Sequence, residues 1–366
     1  MKELQTFDVL VVGAGPGGAT AAKRCADRGL QTVLVEKKKL PRDKVCSGMV
    51  MGKWALEIIE KEFGKIPRSV LTDPPLLAGH RFYVGPEIED LEWPTPFSWR
   101  KDLDFFMVQG AVKSGAVLQD GVRVARMDAD DGFCRIELHK EGTIQHLRAR
   151  FVIGADGASS VIRRCLFPDL KVRFSGPIRE CYQGQLDLPR DFFHWFFPKK
   201  LPRPRFNVNH KGDVFLIEGS GLKELRQEIG ESLSPYGFDP SSKPIRKDGC
   251  TIALLHDDLL SGAFNPANGN VLLTGDAAGL ILPITFEGIG SALKSGILAA
   301  DAVVGHFDDP DVAASSYIES LKPMLKTIEK LCKTQEELKT TARLGAGPLA
   351  KALCDAYRET LTIQEG

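Results

Sequence analysis

Residues 8–36 constrain this chain more than any other stretch. An apolar run over residues 8–12 leads into Gly13-Ala14-Gly15-Pro16-Gly17-Gly18, followed by an alanine-rich helical stretch to Asp27 and a second apolar run ending at Glu36. Strand, tight turn, helix and strand within about 30 residues make a βαβ unit, the building block of a parallel sheet. Gly13, Gly15 and Gly18 have the spacing GxGxxG. In such a turn the first glycine permits the tight bend, the second lets the backbone approach a pyrophosphate, and the third brings the helix close to the sheet. The helix N-terminus then offers free N–H donors and a positive dipole end to the phosphates. Glu36, next to Lys37, ends the second strand where a carboxylate can accept from ribose hydroxyls. This context predicts dinucleotide binding and leaves FAD and NAD both open.

The 366 residues, 43% hydrophobic and 26% charged, suffice for two domains or one large discontinuous one. Lysine plus arginine equals aspartate plus glutamate at 48 each, so no global field favours nucleic acid or an anionic membrane, and any charge-based recognition is local. The first residues run directly into a strand pattern with no signal-peptide features. The most apolar stretch, residues 270–289, is interrupted by Asp276 and Glu287, so no membrane span is expected. The eight cysteines form no CxxC pair, which argues against a zinc site or disulfide framework and for a reducing cytoplasm. No metal site is expected.

Two more apolar runs, residues 151–157 and 271–276, end in the turns Asp156-Gly157 and Gly275-Asp276 and read as strands feeding cofactor-facing loops. Between them, residues 171–264 alternate and are broken by turn signals, the pattern of a mostly antiparallel sheet. Beyond Pro310, residues Leu321, Leu325, Ile328, Cys332 and Leu338 recur at near-helical spacing, which predicts C-terminal helices.

Three segments in order, VVGAGPGGATAA, VIGADGASSVIRR and GDAAGLILPITFEGIGSAL, resemble the p-hydroxybenzoate-hydroxylase-type flavoproteins and, within them, most closely the geranylgeranyl reductase family. The resemblance spans about 300 residues and selects FAD, bound non-covalently. It implies an α/β fold: a Rossmann-type FAD-binding domain with an inserted antiparallel-sheet substrate domain and C-terminal helices. The expected division is residues 1–75, 100–170 and 265–306 for FAD, 76–99 and 171–264 for substrate, and 307–366 for the helical region.

The resemblance also implies roles for particular residues. Asp156 and Gly157 lie near the pyrophosphate and the pyridine-nucleotide path, and Gly275 and Asp276 lie at the ribityl chain. Physically, Asp276 can accept from ribityl hydroxyls, while Gly288, Ile289 and Gly290 open another helix whose N-terminus would stabilise negative charge on a reduced isoalloxazine. Arg100 matches an arginine that contacts FAD. Cys46, Ser47 and Gly48 resemble the family's cysteine-glycine segment beside the flavin, with Cys46 a catalytic candidate. Phe193-His194-Trp195-Phe196-Phe197-Pro198 resembles a YxWxFP motif. Strand alternation puts Phe193, Trp195 and Phe197 on one face as a flat apolar wall for a prenyl chain. The chain departs from the family in Phe193, which excludes tyrosine hydroxyl chemistry there, in a missing glycine after Pro198, and in Phe286, where a glycine is common.

Lys199, Lys200, Arg203, Arg205, His210 and Lys211 follow with no intervening acid, and either form a solvated loop or hold an anionic headgroup or an acidic donor protein. Lys322, Lys326, Lys330 and Lys333 could line a helix face against anionic lipid, although interleaved glutamates favour a solvated face. The expected activity is saturation of carbon–carbon double bonds of an isoprenoid or similar apolar substrate, with NADPH or a ferredoxin-like protein as electron donor. His194 and Cys46 are candidate proton donors. The rival activities are aromatic or quinone hydroxylation and non-catalytic electron transfer. The expected setting is the cytoplasm, with peripheral membrane contact left open and no nucleic-acid partner.

Overall fold

A computed structural model describes residues 4–130, 132–197 and 205–362. Its first sheet runs in the order Ala267–Asn268, Val271–Leu273, Thr143–Gly154, Gln5–Val12, Thr32–Glu36, Val117–Asp120. The four pairings from Val271–Leu273 to Val117–Asp120 are parallel. An antiparallel hairpin, Arg123–Asp130 with Phe133–Lys140, attaches to Thr143–Gly154. Val9, Leu10, Val11, Val33, Leu34, Val152 and Ile153 are fully buried. Continuous apolar runs of this kind suit strands covered on both faces.

The helix Pro16–Asp27 packs against Ile289–Gly305. Gly17 and Gly296 set that distance, since a Cβ on Gly296 would collide with the Gly17 carbonyl and one on Gly17 would lie 2.9 Å from the Ala292 carbonyl. The close approach holds both helix N-termini at the carboxyl ends of the central strands, where open α/β sheets bind their ligands.

The second sheet runs Arg246–Gly249, Ile178–Gln183, Val214–Gly219, Phe206–Lys211, Phe192–Phe197, Leu71–Val84, Glu87–Ser98. Its pairings are antiparallel except that Phe192–Phe197 runs parallel to Leu71–Val84. Alternation assigns its two faces. Phe196, Phe206, Val208, Phe215 and Ile217 pack into a core with Leu222, Ile229 and Leu233, whereas Phe193 and Trp195 join the core continuous with the first sheet. The C-terminal helices Lys322–Thr341 and Ala346–Thr362 pack on each other, and the last also packs on Leu71–Val84 and Glu87–Ser98. Tyr357 thereby reaches the Phe82 ring at 4.8 Å and the Trp195 ring at 5.4 Å.

Candidate active site

One cavity of about 1180 Å³ lies between the two sheets. It exceeds the range of about 300–1,000 Å³ common for small-ligand clefts. Gly13, Gly15, Pro16, Glu36, Lys37, Cys46, Ser47, Arg100, Asp156, Gly157, Gly275, Asp276, Gly288 and Ile289 line it, together with Phe193, Trp195 and Phe197. Residues scattered over more than 270 positions of sequence are therefore brought to one space. Two predicted site residues do not line it. Gly18 presses on the Gly13 carbonyl, the close helix–strand contact its place in the fingerprint implies, and Gly48, at φ 76°, packs on the Ser98 carbonyl.

The dinucleotide end fits FAD on structural grounds. Pro16–Asp27 and Ile289–Gly305 both start on glycine N-caps, Gly15 and Gly288, which carry no capping side chain; in the second helix Glu287 Oε1 accepts from the Gly290 N–H at 2.7 Å. A Cβ on Gly15 would meet only Arg42 Nη2, at 3.9 Å, so the backbone there is open to a bound group. Asp276 reaches the cavity with Lys44 Nζ 3.9 Å from its carboxylate.

Glu36 does more than wait for a ribose. Its Oε2 accepts from the Ala14 N–H at 3.1 Å and pairs with Arg42 Nε at 3.0 Å, and its Oε1 accepts from the Lys38 N–H at 3.0 Å. Arg42 Nη1 also donates to Asp104 Oδ2 at 2.9 Å, and Arg100 Nε donates to Asp104 Oδ1 at 2.8 Å. Burial opposes charge on Asp104, but Arg100 and Arg42 more than offset it and hold the carboxyl below its usual range. Burial likewise works against a charged Arg100, and Asp104 outweighs it. Arg100 is thus a buried, paired cation on the cavity wall. Arg42, which links the fingerprint carboxylate to the arginine helix, was missed in the sequence, where Arg42-Asp43-Lys44 looks like a solvated charge run.

Asp156 caps a helix. Its carboxylate accepts from Ser160 Oγ at 2.5 Å and from the Val161 N–H at 2.6 Å, at the start of Val161–Leu166, and burial pushes its pKa up. Cys46 is a half-buried free thiol within hydrogen-bonding reach of Arg100, and its carbonyl accepts from Arg179 Nη1 at 3.4 Å.

The floor of the cavity is a row across the second sheet. Register places Trp195 beside Asn207, Asn207 beside Glu218, Glu218 beside Arg179 and Arg179 beside Asp248, and all five side chains line the space. Arg179 and Asp248 form a two-pronged pair at 2.9 and 2.7 Å. Glu218 and Arg179 went unnoticed in the sequence because Glu218 ends the apolar run VFLIEG and Arg179 sits in the mixed stretch IRECYQ, neither of which carries a motif. The available signal was a charged residue in inward phase within Val214–Gly219.

Beyond Trp195 the cavity is lined mainly by Ile284, Phe286, Leu338, Leu349 and Leu353, an arm that Gln335 and Lys339 also border. The Arg205 guanidinium lies over Trp195, Phe197 and Phe286, 5.2, 5.8 and 6.0 Å from their ring centres, and Nη2 donates to the Ile284 carbonyl at 2.5 Å. Phe286, with φ 53°, and Ile284, with φ 69°, hold left-handed backbone. Phe286 therefore keeps the conformation a glycine would adopt freely and adds a ring to the arm.

Two expectations require correction. His194 cannot donate a proton into the cavity: it faces the opposite core, where Nε2 donates to the Pro189 carbonyl at 2.8 Å and Nδ1 accepts from Tyr83 Oη at 3.2 Å. Period-2 alternation turns it away from its neighbour Trp195. The basic segment is not one patch either. Lys199, Lys200 and Arg203, with Pro198, lie outside the described residues, while Arg205 is stacked in the arm. His210 is buried, its Nε2 accepting from the Leu186 N–H, and burial lowers its pKa to about 4. Lys211 is buried on the other face of the same strand. On the C-terminal helix, Lys322, Lys330 and Lys333 pair with Glu319, Glu359 and Glu329, which leaves them engaged with carboxylates. Among the described residues no His/Cys/Asp/Glu group could hold a metal, and no helix is long and apolar enough to cross a membrane.

An FAD-binding domain model matches residues 6–178. The chain is 28% identical to digeranylgeranylglycerophospholipid reductase 1 of Methanopyrus kandleri over 84% of its own length and 83% of that protein. It is 26% identical to the chloroplastic geranylgeranyl diphosphate reductase of Arabidopsis thaliana, over 81% of this chain and 65% of the other. The crystal structure of a geranylgeranyl bacteriochlorophyll reductase-like protein from Thermoplasma acidophilum superposes with a TM-score of 0.74 at 22% identity, covering 97% of this chain and 96% of that one.

Proposed function

The protein is an FAD-dependent oxidoreductase, geranylgeranyl reductase-like, and from that premise we propose that it saturates carbon–carbon double bonds of an isoprenoid. One observation carries the reading: the cavity that starts at the dinucleotide cradle continues without a break past Trp195 into an apolar arm. An alkene must lie against the flavin in a water-poor space, and such an arm excludes water and aligns an apolar chain.

The residues divide the work. Gly13, Gly15, Pro16 and the first helix N-terminus hold the pyrophosphate, and Glu36, steadied by Arg42, holds the ribose. Asp276 binds the ribityl hydroxyls, and Gly288 and Ile289 bring the second helix N-terminus to the ring. Lys37, Ser47, Arg100, Asp156 and Gly157 complete the cofactor wall, and Gly48 shapes the loop that carries Cys46. FAD, when bound and reduced by NADPH or a ferredoxin-like protein, supplies the hydride. Phe193, Trp195 and Phe197 position the prenyl chain. A polyprenyl substrate is delivered from a bilayer or a carrier, so membrane contact is peripheral.

The test is an anaerobic titration of the photoreduced, flavin-loaded protein with polyprenyl lipids, quinones and phenols. Reoxidation by a polyprenyl alkene, with a saturated product, supports the reading. Reoxidation that requires oxygen and yields a hydroxylated product would replace it with hydroxylation.

A further inference from the structure

Resting on the reductase reading, we propose that Glu218 is the proton donor. Alkene saturation adds a hydride to one carbon and a proton to the other. In this assignment the proton leaves the Glu218 carboxyl, the alkene π pair forms the new C–H bond, and the hydride comes from reduced FAD. The resulting carboxylate, which lines the cavity, is reprotonated from solvent when the product leaves.

The geometry favours Glu218 over the other acids of the site. It sits in the floor row where the aromatic wall, ending at Trp195 and Asn207, gives way to the charged pair Arg179–Asp248. It is 8% exposed, it lines the cavity, and its Oε1 has no hydrogen-bond partner among the described residues. Its Oε2 meets only a long bond from Asn209 Nδ2, at 3.4 Å. An unpartnered buried oxygen costs about 1–3 kcal/mol, more when charged, so its retention on a cavity wall calls for a reason. The other acids lining the cavity have other partners: Asp156 caps a helix, Asp248 is paired with Arg179, Glu36 is bonded through both oxygens, Glu287 Oε1 accepts from the Gly290 N–H at 2.7 Å, and Asp276 and Asp43 face Lys44 and Arg246 at 3.9 and 3.6 Å.

The groups facing Glu218 are Arg179 and Asp248 from the two neighbouring strands and Asn209 and Lys211 from Phe206–Lys211. Burial pushes the Glu218 carboxyl up, although Arg179 and Lys211 pull the other way. Arg179 spends its charge on Asp248, which leaves burial dominant. Lys211, 2% exposed, donates to the Ser47 and Ser98 carbonyls at 2.5 and 2.8 Å and lies 4.3 and 4.4 Å from the Phe97 and Trp99 ring centres. Burial lowers the pKa of its ammonium, and its bonds to the two carbonyls hold it in place.

The test compares wild type with Glu218→Gln, an isosteric change that keeps the site neutral. In the infrared difference between the two flavin-loaded proteins at pH 7, a protonated-carboxyl band is expected in wild type alone. In anaerobic single turnovers with geranylgeranyl diphosphate as the probe, reoxidation should slow by about 100-fold or more, the lower range for general acid catalysis. Flavin content and probe affinity should stay unchanged, and Glu218→Asp should recover part of the rate. An ionised Glu218 at pH 7, or an undiminished rate in Glu218→Gln, overturns the inference alone. A wild-type protein that no polyprenyl alkene reoxidises overturns the reductase reading and this inference together.

Discussion

Replacement of Trp195 by alanine separates a pocket wall from ordinary core. In a closed core the change costs about 3–5 kcal/mol, because the surroundings collapse only partly onto the void. Trp195 differs in that part of its surface borders a space of about 1180 Å³, so truncation enlarges an existing cavity. What is lost is its ring packing and one hydrogen bond. The ring contacts Phe193 at 4.9 Å and Tyr357 at 5.4 Å, and such pairs contribute about 0.5–1.5 kcal/mol each. Trp195 Nε1 also donates to His80 Nδ1 at 3.2 Å, a bond of about 1 kcal/mol. His80 is buried with its pKa lowered to about 4, so it stays neutral, and water entering the enlarged cavity should replace the lost donor. We expect a net loss of roughly 2 kcal/mol, or a melting shift of about 3 °C at the unfolding entropy of a chain of 366 residues. The assay measures melting temperature, flavin content and anaerobic single-turnover reoxidation by a polyprenyl alkene on each preparation. Flavin content should hold while reoxidation falls at least tenfold. A melting loss of about 5 °C or more with normal reoxidation per bound flavin would refute the reasoning and make Trp195 plain core.

Gly15→Val should fold with a near-normal melting temperature for the apo-protein yet purify colourless, since the new side chain enters the open cradle near Arg42 rather than packed protein; full flavin content in this variant would move the pyrophosphate elsewhere. Arg42→Ala removes a cation shared by Glu36 and Asp104, which keep the Ala14 and Lys38 N–H groups and Arg100 respectively, so the apo-protein should lose about 1.5–3 kcal/mol and bind FAD weakly, as measured by denaturant titration and flavin fluorescence. An apo-protein of unchanged stability would show that solvent, rather than Arg42, satisfies those carboxylates. Burial would raise the Glu180 pKa, but hydrogen bonds from Arg226, Lys247 and Tyr182 bring it from the ordinary 4.5 down to about 2. The stability this adds is present above about pH 4.5 and lost as pH falls toward 2, so the melting advantage of wild type over Glu180→Gln should shrink across that window. A constant difference across it would contradict the assignment.

Local chemistry wrote part of this site into the sequence. The glycine spacing after Val12, the carboxylate at Glu36 and the Gly275-Asp276 turn depend on backbone conformation within a few residues, so they are legible without a third dimension. The aromatic wall was legible too, because period-2 alternation within one strand places Phe193, Trp195 and Phe197 together wherever the strand goes. The same rule, applied to His194, would have excluded it as a donor.

What the sequence could not determine is which strand lies beside which, and hence which polar residues share a face. Glu218 becomes a candidate acid only because its strand pairs with both Phe206–Lys211 and Ile178–Gln183, which sets it between Asn207 and Arg179. Arg42 becomes part of the cofactor wall only because the helix carrying Asp104 and Arg100 packs beside it, some 60 residues further on. Lys211 passes from apparent solvated charge to buried ammonium when the loop carrying Ser47 and the strand end at Ser98 close over it. Burial and charge pairing are properties of neighbours brought together by long-range packing, and these two quantities set the direction in which the Asp104 and Glu218 carboxyls are shifted.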